Sequence, residues 1–163
     1  MDDARLETFR EVFVTHHAHL LRMAFVVRGD MAAAEDDVAE AFARTFGPWS
    51  RGEIRDVGAY LSRAVVNRSR SGFRHMRVAE RVQLTPGFVA DRVGAVAERE
   101  VLVRALAQLP HGQRVAVVLR YVGDLSEQTT AETMGVSVGT VKSQVARALH
   151  SLRAALDSPG GSE

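Results

Sequence analysis

Apolar residues return every three or four positions along most of this chain, and no stretch alternates strictly, so the pattern is one of helices packed by a single face. Leu6, Phe9, Phe13, Leu20, Leu21, Ala24 and Val27 predict a first helix over Asp2 to Val27, closed before Gly29. Asp30 is placed to cap a second helix reaching about Phe46, with Val38, Ala41, Phe42 and Thr45 or Phe46 turned inward. Gly47-Pro48 is expected to break it, because proline donates no hydrogen bond and restricts its predecessor, which leaves a loop over residues 47–56. Asp56 then caps a third helix from Val57 to about Arg77, with Leu61, Ala64 and Val65 inward and Phe73 as a further candidate.

Between Val78 and Val96 the periodicity weakens and Pro86, Gly87 and Gly94 intervene, the mark of a linker. Two helices follow, at about Ala97 to Gln108 and Pro110 to Val122, with proline suited to the first turn of the second. The expectation is an all-α chain: a helical domain over 1–77, a flexible linker over 78–96, a second helical domain over 97–156 and a disordered tail over 157–163.

The second domain closes on Leu125 to Arg153, which reads as two helices around a tight turn. Ser126 caps the first, to Met134; Gly135 can take the left-handed conformation that ends it; Ser137 caps the second, Val138 to about Leu152. Val141, Val145, Ala148, Leu149 and Leu152 form one apolar stripe. Gly139, Thr140, Ser143, Ala146, Arg147 and His150 face away from it, flanked by Lys142 and Gln144. No acid lies between Ser137 and Arg153, and three cations give that segment a charge of +3. A helix with such a face fits the DNA major groove, so the stretch is expected to be a DNA-binding helix-turn-helix.

The overall charge of +1 hides an uneven distribution. From Asp30 to Phe46 five acids oppose one base; from Arg63 to Arg81 six arginines oppose one acid. Such blocks predict two kinds of partner, a basic protein surface and a polyanion. With 163 residues the chain can bury one ordinary core or two small ones, and with no cysteine it has neither disulfides nor thiolate metal sites. Neither a leader nor a run of the roughly 20 apolar residues that span a bilayer is found, which predicts a cytoplasmic protein.

Gly135-Val-Ser-Val-Gly-Thr-Val-Lys-Ser143, with Arg147-Ala148-Leu149 and Leu152-Arg153 behind it and Leu109-Pro110, Arg114 and Val118-Leu119-Arg120-Tyr121 ahead, resembles region 4 of bacterial sigma factors of the small extracytoplasmic-function (ECF) group. Ala34-Glu35-Asp36, Val38, Glu40, Phe42 and Arg44 resemble region 2 of the same group, although Asp37 stands where a leucine is usual and Ala39 where a glutamine is. The resemblance covers roughly residues 6–77 and 97–153. It implies a non-enzymatic subunit that binds core RNA polymerase and directs initiation at promoters, without cofactor or metal. Glu35, Asp36, Asp37, Glu40 and Arg44 would then meet the β′ clamp helices. Trp49, Ser50, Arg51, Tyr60, Arg63, Asn67, Arg70 and Arg74 would hold the minus-10 element as single strand. Ser137, Thr140, Lys142, Ser143, Gln144 and Arg147 would read the minus-35 duplex, with Arg114 and Arg120 on DNA backbone or the β flap. An anti-sigma factor is a further partner that the resemblance implies.

Other readings exist. LuxR-type regulators carry a similar helix-turn-helix, but usually behind an α/β receiver for which this chain has no strands. A stand-alone regulator would need a dimer, and no long apolar seam offers one. A metal hydrolase could draw on His16, His17 and His19 with Glu35 to Asp37, yet neighbouring residues on a helix point about 100° apart and a histidine packed between helices is the simpler account. Thr129 and Thr130 stand where the family favours glutamate and isoleucine; Thr130 is expected to face the core and bond a carbonyl one turn earlier.

Overall fold

The computed structural model describes residues 3–75 and 96–158, with side chains described from 6 to 72 and from 101 to 158. Helices account for nearly all of it: α1 Asp3–Arg28, α2 Met31–Ser50, α3 Val57–His75, α4 Val96–Gln108, α5 His111–Val117 continuing as a π-helical turn Val118–Val122, α6 Glu127–Met134 and α7 Val138–Asp157. The chain divides into two compact units, residues 1–77 and 78–163. The expected linker lies outside the described residues except for Val96, which opens α4.

In the first unit α1, α2 and α3 pack against one another pairwise. The centre of the core is the second half of α1, where Leu20, Leu21 and every residue from Met23 to Val27 are buried. A helix buried nearly all round shows no amphipathic stripe, which is why periodicity marked Leu20, Leu21, Ala24 and Val27 but not Met23, Phe25 or Val26. The first half of α1 behaves differently: Leu6 and Phe13, expected inside, are each 41% exposed. Val38, Ala41, Phe42 and Thr45 on α2, and Leu61, Val65 and Val66 on α3, complete the core. Each fully buried large side chain contributes about 1.5–3 kcal/mol.

The turn between α1 and α2 forms as expected: Gly29 is left-handed with φ 79°, and Asp30 caps through a 2.7 Å bond from the Ala33 amide. Gly47-Pro48, however, does not break α2, which runs on to Ser50. The ring of Trp49 packs 5.1 Å from Phe9 and 6.4 Å from Phe46, and this contact with α1 holds the last turn helical although proline withholds one hydrogen bond. The loop therefore shrinks to residues 51–56, and Trp49 is a helical residue. Asp56 caps α3 with a 2.9 Å bond from the Ala59 amide.

In the second unit α4, α5 and α6 pack on α7 or, for α6, also on the π turn. Pro110 precedes α5 as its cap, with extended ψ of 144°, rather than sitting in its first turn. The helix expected to Val122 stays α only to Val117; the Gly123 amide then bonds the Val118 carbonyl at 2.8 Å, five residues back. α7 continues five residues past Leu152 to Asp157, so the expected tail begins inside a helix and only 159–163 lie outside the described residues.

Candidate nucleic-acid interface

α6 and α7 form the expected helix-turn-helix, and each terminus has a local cause. The Ser126 hydroxyl accepts from the Thr129 amide at 3.0 Å, Gly135 adopts φ 69°, and the Ser137 hydroxyl accepts from the Thr140 amide at 3.1 Å. Val141, Ala148 and Leu152 are buried against the unit, while Val145 and Leu149 are half-buried. Gly139, Thr140, Lys142, Ser143, Ala146, Arg147, His150 and Arg153 are exposed. The face is thus acid-free and cationic along four turns, the property a phosphate-lined groove attracts. Lys142 Nζ lies 3.7 Å from Glu127 Oε2 at the start of α6, an exposed pair too weak to withhold the cation from a phosphate.

Of the other residues assigned to duplex DNA from the sequence, Ser137 is exposed and is the expected cap, while Gln144, Arg114 and Arg120 are partly or wholly buried. Ser137 is engaged as the cap, and its hydroxyl also shares a 2.9 Å hydrogen bond with that of Thr140. Gln144 is half-buried over Gly112 of α5, its Nε2 at the ordinary contact distance of 3.4 Å from where a Cβ would stand. Arg114 is buried, with Nη2 donating to the Leu109 carbonyl at 3.3 Å. Removal from water pulls its pKa below the usual guanidinium value. Arg120 is half-buried and donates from Nη1 to the Leu125 carbonyl, tying the π turn to the entry of α6. Arg114 is thus enclosed by the unit that carries the face, while Arg120 keeps part of its side chain at the surface.

In the first unit α2 and α3 enclose a groove of about 380 Å³, lined by Glu40, Arg44, Thr45, Tyr60, Asn67 and Arg68 among others. Tyr60, Ala64, Asn67 and Ser71 recur at helical spacing and so form one stripe of α3, with Arg63 and Arg70 on its flank. An aromatic ring, an amide and guanidinium groups around a cleft of this size make a chemistry suited to unpaired bases. Arg63 and Arg70 are half-buried and Asn67 is exposed; the side chain of Arg74 lies outside the described residues. Arg68, which the sequence reading passed over, lines the groove; its signal was the four-residue step from Ala64.

The preceding loop is less free than expected. Trp49 belongs to the aromatic cluster with Phe9 and Phe46, and the Ser50 hydroxyl donates to the Gly47 carbonyl at 2.8 Å. Arg51 reaches Glu53 with two contacts, 2.5 and 3.1 Å. The hydrogen bond from Arg51 holds the Glu53 carboxyl below the ordinary glutamate value, and the same pair raises Arg51.

Of the acidic row, Glu35 and Asp36 are exposed in the second turn of α2, Asp30 being the carboxylate that meets the free amides of the first. Glu40 pairs with Arg44 at 2.6 Å. Asp37 does not share the exposed face. It is 5% exposed, accepts from the Ser69 hydroxyl at 3.0 Å, and lies 3.2 Å from Arg68 Nε and 3.8 Å from Arg28 Nε. Its position one step past Asp36 turns it inward between α1 and α3.

His17 packs against Phe13 and Phe42, with ring centroids 4.6 and 6.5 Å away, and among the described residues no group of three His, Cys, Asp or Glu side chains is set to hold a metal. A family model described as Sigma-70, region 4 matches residues 99–152. The RNA polymerase sigma-E factor of Streptomyces antibioticus is 35% identical over 153 residues, covering 92% of this chain and 85% of that protein. This chain belongs to the ECF sigma factors of bacterial RNA polymerase. The ECF sigma factor SigM of Mycobacterium tuberculosis is 34% identical over 142 residues, or 86% of this chain and 72% of that protein. The fold of the sigma factor is similar to that of RpoE from Bartonella quintana, solved with the anti-sigma factor NepR, at a TM-score of 0.74 and 21% identity over 94% of this chain and 99% of that one. It is also similar to CnrH, solved with the cytosolic domain of CnrY, at a TM-score of 0.66 and 23% identity over 95% and 91% of the two chains. Sigma factors work with RNA polymerase in transcription initiation. Among the described residues, no helix is long and apolar enough to cross a membrane.

Proposed function

We propose that this sigma factor reads a minus-35 duplex with α7 and a melted minus-10 strand at the α2–α3 groove, working in the cytoplasm as a dissociable subunit without covalent chemistry. The observation that carries the reading is the outer face of α7, acid-free from Ser137 to Arg153 and fixed at its start by a glycine turn and a serine cap. Thr140, Lys142, Ser143 and Arg147 are its exposed readers. In the first unit Tyr60 and Asn67 would receive bases, while Arg63 and Arg70 follow phosphates. Glu35, Asp36 and Glu40 give an acidic edge to the basic clamp helices of polymerase. Asp37 is left out of that edge because it is buried. RpoE and CnrH were each solved with an anti-sigma partner, and we extend that kind of partner to this chain.

No ATP is needed in this scheme, since capture of unpaired bases itself offsets the unpairing of the duplex. Two modest DNA sites on one chain gain from effective concentration once polymerase fixes their separation, so the free protein should bind promoters weakly. The test is run-off transcription with bacterial core polymerase, the purified chain and a pooled promoter library. Starts that depend on the chain and share spaced minus-35 and minus-10 sequences are expected. Absence of dependent transcripts, with tight duplex binding by the chain alone, would replace this reading with a stand-alone regulator.

A further inference from the structure

One cluster beneath the α2–α3 groove has no part in the roles above. Asp37 of α2 meets Arg68 and Ser69 of α3 and Arg28 of α1, so one buried carboxylate joins all three helices of the unit. The Arg28 guanidinium lies across Gly72, where a Cβ would fall 1.2 Å from Nη1, and the absence of a side chain there admits it. A buried ion cluster is a poor source of net stability, because desolvation roughly cancels the Coulomb gain and apolar residues of like volume often do as well. What such a cluster can supply is orientation.

Arg68 is the member that reaches the surface. Its side chain is 42% exposed and lines the groove beside Tyr60 and Asn67, while its Nε faces Asp37 Oδ1 at 3.2 Å. That contact is an ion pair on the Nε side of the guanidinium and does not involve the four N–H bonds of the terminal nitrogens. The other cation of the groove, Arg44, is held only by Glu40 through a pair in which the arginine is 75% exposed. Exposed pairs of that kind are weak and let go readily, whereas the carboxylate beside Arg68 is buried and held by the Ser69 hydroxyl, with Arg28 3.8 Å away. A planar fork held from behind, next to an amide and a phenol ring, presents a fixed donor pattern matching two adjacent acceptors on a base edge.

We infer that Arg68 is a specificity-determining residue of the α2–α3 groove, reading an acceptor edge of a base in the melted strand, and that Asp37 is its positioning residue. The inference rests on the groove being the minus-10 site. It accounts for a carboxylate at position 37 that the acidic polymerase-facing edge does not use.

The test uses core polymerase loaded with the full chain. It is titrated, across a range of salt, with a labelled single-stranded oligonucleotide carrying the minus-10 sequence found by run-off transcription, and with a scrambled one. Asp37→Asn keeps the shape and an acceptor for Ser69 while removing the charge. Its discrimination between the two strands is expected to fall about tenfold. Binding of the scrambled strand should hold or strengthen, with a salt slope steeper by about one released counterion, because a freed Arg68 can follow phosphate. A purely structural Asp37 would instead weaken both strands alike, and that outcome overturns the inference. Arg68→Lys keeps the pairing charge and loses the planar fork, so it tests the idea even if Asp37→Asn folds poorly. Undiminished discrimination in Arg68→Lys also overturns it. If the unaltered chain fails to tell the two strands apart, the minus-10 assignment of the groove falls first and the inference with it.

Discussion

At the scale of single residues, the two units carry opposite kinds of local cost. Thr130 of α6 is fully buried and its Oγ1 has no hydrogen-bond partner; the carbonyl one turn back, Ser126 O, is already taken by the Thr130 amide and does not receive the hydroxyl. The expected back-bond is therefore missing, and Thr130→Val should stabilise the second unit by about 1 kcal/mol by removing an unsatisfied group without changing shape. Calorimetry of the full chain checks this as a rise in the melting temperature of that unit. Gly72 is the reverse case, since any Cβ there displaces the buried Arg28 guanidinium. Gly72→Ala moves the flexible end of Arg28 off Asp37 but gains helix propensity, so it should cost the first unit no more than about 1 kcal/mol, read as a small fall in its denaturant midpoint. At the exposed Arg51–Glu53 pair the effect concerns titration rather than stability. Because Arg51 lowers the Glu53 pKa, the pairing is complete above the ordinary glutamate range and is lost as pH falls through the lowered value. Carboxyl NMR should find Glu53 titrating below the usual value of about 4.3, and Arg51→Ala should move it back up.

At the scale of elements, capping and packing divide the work. The starts of α2, α3, α6 and α7 are set locally by Asp30, Asp56, Ser126 and Ser137, each accepting a backbone amide three residues on. The end of α6 is equally local, at left-handed Gly135, whereas the end of α2 is set by what lies alongside. α2 overruns Gly47-Pro48 because Phe9, Phe46 and Trp49 form a cluster whose contacts outweigh the lost hydrogen bond. Phe9→Ala should then loosen the last turn of α2 and cost the first unit about 2–3 kcal/mol, less than for a fully buried ring. Trp49 is the chain's only tryptophan, so its emission should shift to the red in that variant well before global unfolding. An unshifted spectrum would show that α2 keeps its last turn without α1. The π turn at Val118–Val122 is a similar case: Arg120 and the Gly123 amide close it onto Leu125 and Val118. No residue there signals a change of helical pitch in advance.

At the scale of the whole molecule, two units with separate cores should respond separately. Thr130→Val is expected to move one thermal transition and Gly72→Ala the other, with additive effects in the double variant. A single shared transition displaced by both would show that the units fold as one. The same division would suit the two proposed DNA sites, each weak alone.

What the sequence determined by itself is everything governed by near neighbours: helical periodicity, the serine and aspartate caps, the left-handed glycines at 29 and 135, and the acid-free face of α7. The family followed from those same local motifs taken in order. Tertiary structure decided which charged residues are free to act. Asp37 and Arg114 carry the charges expected of binding residues, yet helices distant in sequence or the preceding turn enclose them. Arg68 looked like one arginine among six until Asp37 was found behind it. Periodicity reports which side of a helix is apolar; it cannot report whether a charge on the boundary meets water or a partner, because that depends on residues thirty or more positions away.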